Sequence, residues 1–350
     1  MATPNVFDGA MQSLLDSPVF AGSSGKAAAQ AVSKKNYNQL LAFQNVTSYS
    51  MQGTLHTCPR KFQITKMRAA TESDPTEREG NTTFAFGHAV GAGVAVYDQT
   101  RDLDEAIFAA FLAWDIDLLA EPIQQERGPR KLECFHHAVW ALMCYPTFVE
   151  EETDLDDYEV IKLEAVVAVD LENGFFYTGH VDELLRSRST GRFKVKENKT
   201  SGFGAIDPAL YSNSDQALSY SVVVDAHGAA EYDVLYTIYS KPEQRWVAMP
   251  FVKTPLAKIE WLQGQALTAT EIENYSAINF FPKRGANCLQ FQRRCHLYEE
   301  CDLDPRTVFG CEYKELPRCN SFEDLEAVEH IDYRVTWSQI VANQKTGEHL

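Results

Sequence analysis

Glu197 and Lys199 lie two residues apart in Phe193-Lys194-Val195-Lys196-Glu197-Asn198-Lys199-Thr200, a run whose pattern predicts a β-strand. Side chains two apart on a strand share a face. Asp182, on the preceding predicted strand, can stand beside them across the ladder. Two neighbouring carboxylates repel each other and are costly to bury unless a cation lies between them. That suits Mg²⁺, a hard ion that accepts carboxylate oxygens and keeps several waters. A lysine next to such a pair can orient or deprotonate an attacking water, or stabilise negative charge growing on a phosphate. A Glu-x-Lys triplet by itself is common on solvated strand faces; the ordered set with Asp182 is the specific signal.

A second constellation is made of cysteines. Cys288, Cys295 and Cys301 are spaced C-x6-C-x5-C near the end of the chain, and Cys58 lies far upstream in Thr57-Cys58-Pro59-Arg60-Lys61-Phe62. Eight cysteines in a chain with no export signal are expected to be metal ligands or reduced core residues, not disulfides. By residue type, four thiolates suit an iron–sulfur cluster or structural Zn²⁺ equally well. Cys311 and Cys319 are alternate ligands, whereas Cys134 and Cys144 fall among apolar neighbours on a predicted helix and read as core residues.

The net charge of −17 over 350 residues argues against a protein that coats nucleic acid non-specifically, because an acidic surface repels a polyanion. A local basic path would suffice for an enzyme. Its candidates are Arg60-Lys61 with Lys66 and Arg68, and Lys283-Arg284 with Arg293-Arg294; ordinary solvated charge is the alternative for each. No run approaches the ~18 apolar residues of a membrane span, and Met1–Leu15 lacks the basic flank of a secretory signal, so a cytoplasmic protein without membrane contact is expected.

The elements that must position these residues follow from periodicity. Residues 21–30, AGSSGKAAAQ, read as a flexible connector. Helices are predicted over 48–68 with an interruption near Pro59, and over 84–98, 103–119 and 131–149. The period then changes to two: strands at 160–170, 175–185 and 193–200 are joined by Asn173-Gly174 and Thr190-Gly191 turns into a three-strand meander. Asp207-Pro208 opens a helix to about 224, strands follow at 232–240 and 245–253, and a long helix spans 255–279. That order predicts an α/β sandwich with a mixed sheet.

Taken in order, Gly179-His180-Val181-Asp182, Glu197-Asn198-Lys199-Thr200 and Gln216-Ala217-Leu218-Ser219-Tyr220 resemble the G-x-x-D, (D/E)-x-K-T and Q-x-x-x-Y series of RecB-like nucleases in the PD-(D/E)XK superfamily, over roughly residues 48–301. The resemblance implies a restriction-endonuclease-like core, a central mixed sheet flanked by helices, with a helical N-terminal part and a cysteine-rich C-terminal tail. It divides the chain into an extension over 1–47, a nuclease domain over 48–310 and a tail over 311–350. It implies that Asp182 and Glu197 bind Mg²⁺ or Mn²⁺, that Lys199 is the catalytic lysine, and that Gln216 and Tyr220 contact DNA or support the site. Their i, i+4 spacing independently puts those two on one helix face. Glu164 lies where the family often carries a glutamate, with a solvated strand residue as the alternative. The family commonly has a metal-binding histidine in F-G-x-x-x-H; here Phe86-Gly87-His88-Ala89-Val90-Gly91 has glycine at that place, and His88 is either the substitute ligand or a hydrogen-bonded core histidine.

An iron–sulfur subset of these nucleases, including AddB and the CRISPR-adaptation exonucleases, carries one cysteine before the core and three after it on a [4Fe–4S] cluster. This chain resembles it through Cys58, Cys288, Cys295 and Cys301, although the usual closing spacing is C-x2-C-x5-C and only the last interval fits. The activity implied is a metal-dependent DNA nuclease, an exonuclease acting on ends or single strands in recombination, repair or phage DNA processing, of phage or bacterial type and with a recombination or helicase protein as partner. The rival is a catalytically weak or inactive nuclease-fold subunit that binds DNA or protein through a structural zinc or iron–sulfur site.

Overall fold

Capping residues fix where the first helices begin and end. Ser48 Oγ accepts from the Met51 N–H at the start of α1 (Tyr49–Thr57), and the backbone turns extended at Cys58 before Pro59 opens α2 (Pro59–Thr71). After α3 (Thr82–Thr100), Asp102 Oδ1 accepts from the N–H groups of Asp104 and Glu105 and starts α4 (Leu103–Ala113); α5 (Phe135–Glu152) completes the helical first half. The computed structural model describes residues 43–71, 82–114, 133–212, 214–226, 233–278, 280–290 and 316–346, together with 40, 293–295, 297, 298 and 301. The expected connector over 21–30 and Cys311 lie outside the described residues.

The switch to period two produces the meander. β2 (Tyr158–Asp170), β3 (Phe176–Ser187) and β4 (Phe193–Ser201) pair antiparallel, and Gly174, at φ +82°, takes the left-handed conformation that the β2–β3 turn requires. The single helix expected from Asp207 is two, α6 (Pro208–Ser212) and α7 (Asp215–Ala226). They carry the chain to β5 (Asp233–Ser240), which runs parallel to β4, and β6 (Arg245–Val252) returns antiparallel beside it. Thr254 then caps α8 (Pro255–Ala277).

Short strands that periodicity did not reveal complete the sheet. β1 (Val46–Thr47) lies parallel to β3, and β9 (Tyr333–Thr336) lies parallel to β2. The result is a seven-stranded mixed sheet in the order β6-β5-β4-β3-β2-β9, with β1 attached to β3. A small hairpin, β7 (Leu289–Gln290) with β8 (Arg293–Arg294), stands apart from it, and α9 (Phe322–Glu326) and α10 (Trp337–Thr346) flank β9. One buried cluster joins residues of α7, α8 and α10 to the sheet through Val195, Tyr220, Trp261 and Ile340. A second packs α3 and α5 against it through Phe86, Tyr145, Leu185 and Tyr239. This is the helix-flanked mixed sheet that the sequence implies, consistent with a restriction-endonuclease-like core. Among the described residues no helix is long and apolar enough to cross a membrane.

Candidate active site

The β3–β4 ladder ends at Glu183↔Lys196, and the next residues on each strand are Asp182 and Glu197. There the side chain takes over from the backbone: Asp182 Oδ2 accepts from the Asn198 N–H at 3.0 Å. β4 continues beside β5, with Glu197 opposite Tyr236 and Lys199 opposite Ile238. The fork between β3 and β4 therefore presents Asp182, Glu197 and Lys199 together.

Glu197 is fully buried, and Lys199 Nζ reaches its Oε2 at 2.9 Å. Its Oε1 is buried without a hydrogen-bond partner. Burial first, then the Asp182 charge, pushes the Glu197 carboxyl up to about 8 despite the pull of Lys199, and Glu164 adds to the rise. Burial alone would lower the Lys199 ammonium, but Glu197 and Asp182 outweigh it and hold its pKa above the ordinary lysine value. Glu164 sits on β2 where the β2–β3 register skips a pair, between Leu163↔Glu183 and Ala165↔Val181, with a left-handed backbone at φ +51°. Such a conformation costs a non-glycine residue on the order of 1 to 3 kcal/mol and concentrates at functional sites.

α7 supplies the neighbouring wall. Gln216 Nε2 donates to Tyr220 Oη at 3.3 Å, so the two share a face. Tyr220 is buried, and burial together with the Glu197 charge keeps its hydroxyl protonated. A Cβ built on Gly179 would meet Tyr220 Cε1 at 2.6 Å, which explains the glycine three residues before Asp182: it lets the tyrosine ring close on β3.

Sequence reasoning missed what lies behind β4. Lys196 Nζ, fully buried, binds Glu183 Oε1 at 2.6 Å, Asp98 Oδ2 at 2.7 Å and Asn198 Oδ1 at 2.8 Å. Tyr145 Oη donates to Asp98, Asn198 Nδ2 to Glu183, and Thr237 Oγ1 to Asn198. Burial would lower the Lys196 ammonium, but Asp98 and Glu183 raise it further, so it stays charged. The alternation Lys194, Lys196, Asn198 in an otherwise core strand was the available sign, since buried charges must be paired.

His88 is exposed on α3 and does not join the carboxylates. A Cβ on Gly91, one turn along, would have nothing within 4 Å. Among the described residues no group of three or more His, Cys, Asp or Glu is close enough to hold a metal ion. The donor set that fits a hard cation is thus Asp182 with the unpartnered Oε1 of Glu197.

The cysteines converge more loosely. Cys58, Cys288, Cys295 and Cys301 are all free and half-buried. Burial pushes the Cys301 thiol up, Lys283 and Arg60 pull it down, and the Cys58 and Cys288 charges raise it again, which puts all of them in one neighbourhood. The Cys295 N–H donates to Cys288 O at 2.9 Å. Cys319 is no alternate ligand: it is buried in a separate core cluster with Phe176 and Leu325, its Sγ donating to Ser321 O. Cys134 and Cys144 are half-buried, Cys144 packed against the α3–α5 core.

The first basic candidate is corrected. Arg60 is buried, with its guanidinium on Gln63 and over the Phe280 ring, and Lys66 is buried against Val46 O with its pKa pulled down to about 7 by desolvation. Lys283, Arg284 and Arg294 are exposed.

The sequence model described as the PD-(D/E)XK nuclease superfamily matches residues 46–302. Comparison with curated protein sequences gives no match. Among solved structures, the crystal structure of SSO0001 is similar at a TM-score of 0.32 and 11% sequence identity, covering 76% of this chain and 88% of that one.

Proposed function

The chain belongs to the PD-(D/E)XK nuclease superfamily, and from that premise we propose that it is a RecB-like, Mg²⁺- or Mn²⁺-dependent deoxyribonuclease that hydrolyses phosphodiester bonds from DNA ends or in single strands. The observation that carries this reading is the buried, unpartnered Oε1 of Glu197 beside Asp182, an arrangement that costs free energy unless a cation neutralises it. Asp182 and Glu197 would hold the ion. Bound there, a hard divalent ion neutralises charge at the scissile phosphate and lowers the pKa of water. Lys199, in contact with Glu197, would offset the charge accumulating on the phosphate or orient the attacking water. Gln216 and Tyr220 position this pair from α7.

In the same reading Cys58, Cys288, Cys295 and Cys301 carry a [4Fe–4S] cluster, with Zn²⁺ as the alternative, and the enzyme works in the cytoplasm on recombination, repair or phage DNA alongside a recombination or helicase protein. A catalytically weak DNA-binding module is the second reading, favoured by the exposure of His88 and by the lack, among the described residues, of a third His, Cys, Asp or Glu close enough to complete a metal site with Asp182 and Glu197.

The test is cleavage of end-labelled linear and circular DNA, single- and double-stranded, with Mg²⁺ or Mn²⁺. Cleavage should require metal and fall by about 10²-fold or more in Asp182→Ala, Glu197→Ala and Lys199→Ala. Glu197→Ala should also lose metal affinity, whereas Lys199→Ala should keep it. Wild-type rates in a folded Glu197→Ala protein would refute the catalytic reading, and a protein that binds DNA but cuts none in either metal would be the second reading. Cutting of circles would replace exonuclease by endonuclease action.

A further inference from the structure

A large aromatic ring stands in solvent where β4 leaves the sheet. Phe203, two residues past the end of β4 and four past Lys199, is 77% exposed. Its backbone is nevertheless held: the Phe203 N–H donates to Ser201 Oγ at 3.0 Å, and Ser201 Oγ and Ser240 Oγ both donate to Phe203 O at 3.3 Å. Ser201 is itself fixed to β5 through its register with Ser240 and through the Lys241 N–H on its carbonyl at 2.9 Å. The ring is therefore presented to water by a pinned loop.

Phe84, 60% exposed, stands in the first turn of α3. α3 runs against β4, because Asp98 pairs with Lys196 at 2.7 Å while a Cβ on Gly87 would lie 3.7 Å from Thr200 Oγ1. Phe84 precedes Gly87 by three residues and so falls about one turn beyond Thr200, on the Lys196–Thr200 face of β4 and not on the face of Lys199. Leu210 on α6, the next element, is also exposed, at 70%.

An exposed aromatic ring on a pinned backbone adds nothing to the folded chain but is ready for a flat apolar partner at a reduced ordering cost. The partner nearest to hand is set by Lys199, whose ammonium is placed for a phosphate under the nuclease reading. A base stacks on an aromatic ring whatever its identity, provided that its face is not already covered, as it is inside a duplex. We propose that Phe203 forms a stacking subsite for an unpaired nucleobase adjoining the phosphate at Lys199, so that the site selects DNA with single-stranded character at the point of attack. This rests on the nuclease reading for the placement of the phosphate.

Binding is measured by fluorescence anisotropy with labelled oligothymidylate, the same strand with abasic positions, and a duplex of equal length, in Ca²⁺. Phe203→Ala should weaken oligothymidylate binding about 10-fold, whereas Phe203→Trp, and Phe84→Ala on the other face of β4, should bind as the wild type does. The abasic strand should bind the wild type weakly and be indifferent to Phe203→Ala. Unchanged far-UV circular dichroism and Tm are expected for a ring this exposed, and they separate loss of stacking from loss of fold. Equal affinity of the wild type for base-bearing and abasic strands, or wild-type affinity in Phe203→Ala, would overturn the subsite. A protein whose binding depends on Phe203 but which cuts no DNA keeps the subsite and loses the nuclease reading. One that cuts single strands with Phe203→Ala affinity unchanged does the reverse.

Discussion

Glu197 is ionised only against resistance, and that resistance is measurable. Its carboxyl is raised from 4.5 to about 8 in the folded chain, while the unfolded chain keeps the ordinary value. Between those limits the folded state holds a proton that the unfolded state has lost, so stability from this group is complete below about pH 4.5 and drains away as pH rises toward 8. Each unit of separation is worth about 1.4 kcal/mol. A divalent ion at Asp182 and Glu197 replaces the proton, so its stabilisation must grow over the same window. The Tm gain on adding Mg²⁺ should therefore be small at pH 5.5 and largest near pH 8, and Glu197→Gln should flatten both the metal-free pH slope and the Mg²⁺ gain. A Mg²⁺ gain that is independent of pH, or that survives Glu197→Gln, would rule out this carboxylate as the ion's principal ligand.

β4 works as an element with two chemistries on its two faces. Glu197 and Lys199 meet Asp182 on one, while Lys196 and Asn198 on the other are locked to Asp98 of α3, Glu183 of β3 and Thr237 of β5. The buried lysine thus ties α3 and β3, and Asn198 ties β5, to the strand that carries the site. Lys196→Met should leave Glu183 without a cation and Asp98 with Arg101 alone, and destabilise the fold by roughly 3 to 5 kcal/mol in urea titration, with part of that recovered when Asp98→Asn and Glu183→Gln are added. A loss below about 1 kcal/mol would mean that the network is dispensable. The meander, β5, β6 and α8 were legible in the sequence because each is long enough for its period to show, and Asp182, Glu197 and Lys199 because their order survives on adjacent strands. The rear network was not, since pairing of Lys196 with Asp98, nearly a hundred residues away, leaves no local pattern. Nor were β1 and β9, of two and four residues, whose place depends on β3 and β2 already being formed. The basic run around Arg60 misled because charge in sequence says nothing of burial, and here the guanidinium and the Lys66 ammonium are spent on internal acceptors.

At the scale of the whole molecule, the two ends of the described chain are stitched over one another. Asn45, beside β1, donates to Gly174 O and Cys319 O and accepts from the Cys319 N–H. Asp332, at the entry to β9, accepts from the Val166 N–H and pairs with Lys162 at 2.9 Å. At the cysteines, the Arg60 N–H donates to Pro282 O, Arg284 reaches His56 O and Asn287 reaches Thr57 O, so the segment before Cys288 is bound to the α1–α2 junction that carries Cys58. Protein hydrogen bonds alone therefore bring the segment of Cys58 to the segment before Cys288, although among the described residues no three of these thiols stand close enough to hold a metal ion; a metal centre drawing them together would add its binding free energy to folding. Because the thiols are contributed from both sides of the catalytic strands, loss of one should loosen the whole arrangement and not a local knuckle. Cys58→Ser, prepared anaerobically, should contain less iron and sulfide than the wild type and melt at lower temperature, with the wild type absorbing near 400 nm. Stoichiometric zinc without iron or sulfide in the wild type would replace the cluster by a zinc staple. Unchanged metal content and Tm in Cys58→Ser would eliminate both, leaving the backbone and side-chain bonds to Pro282, His56 and Thr57 as the staple between the two ends.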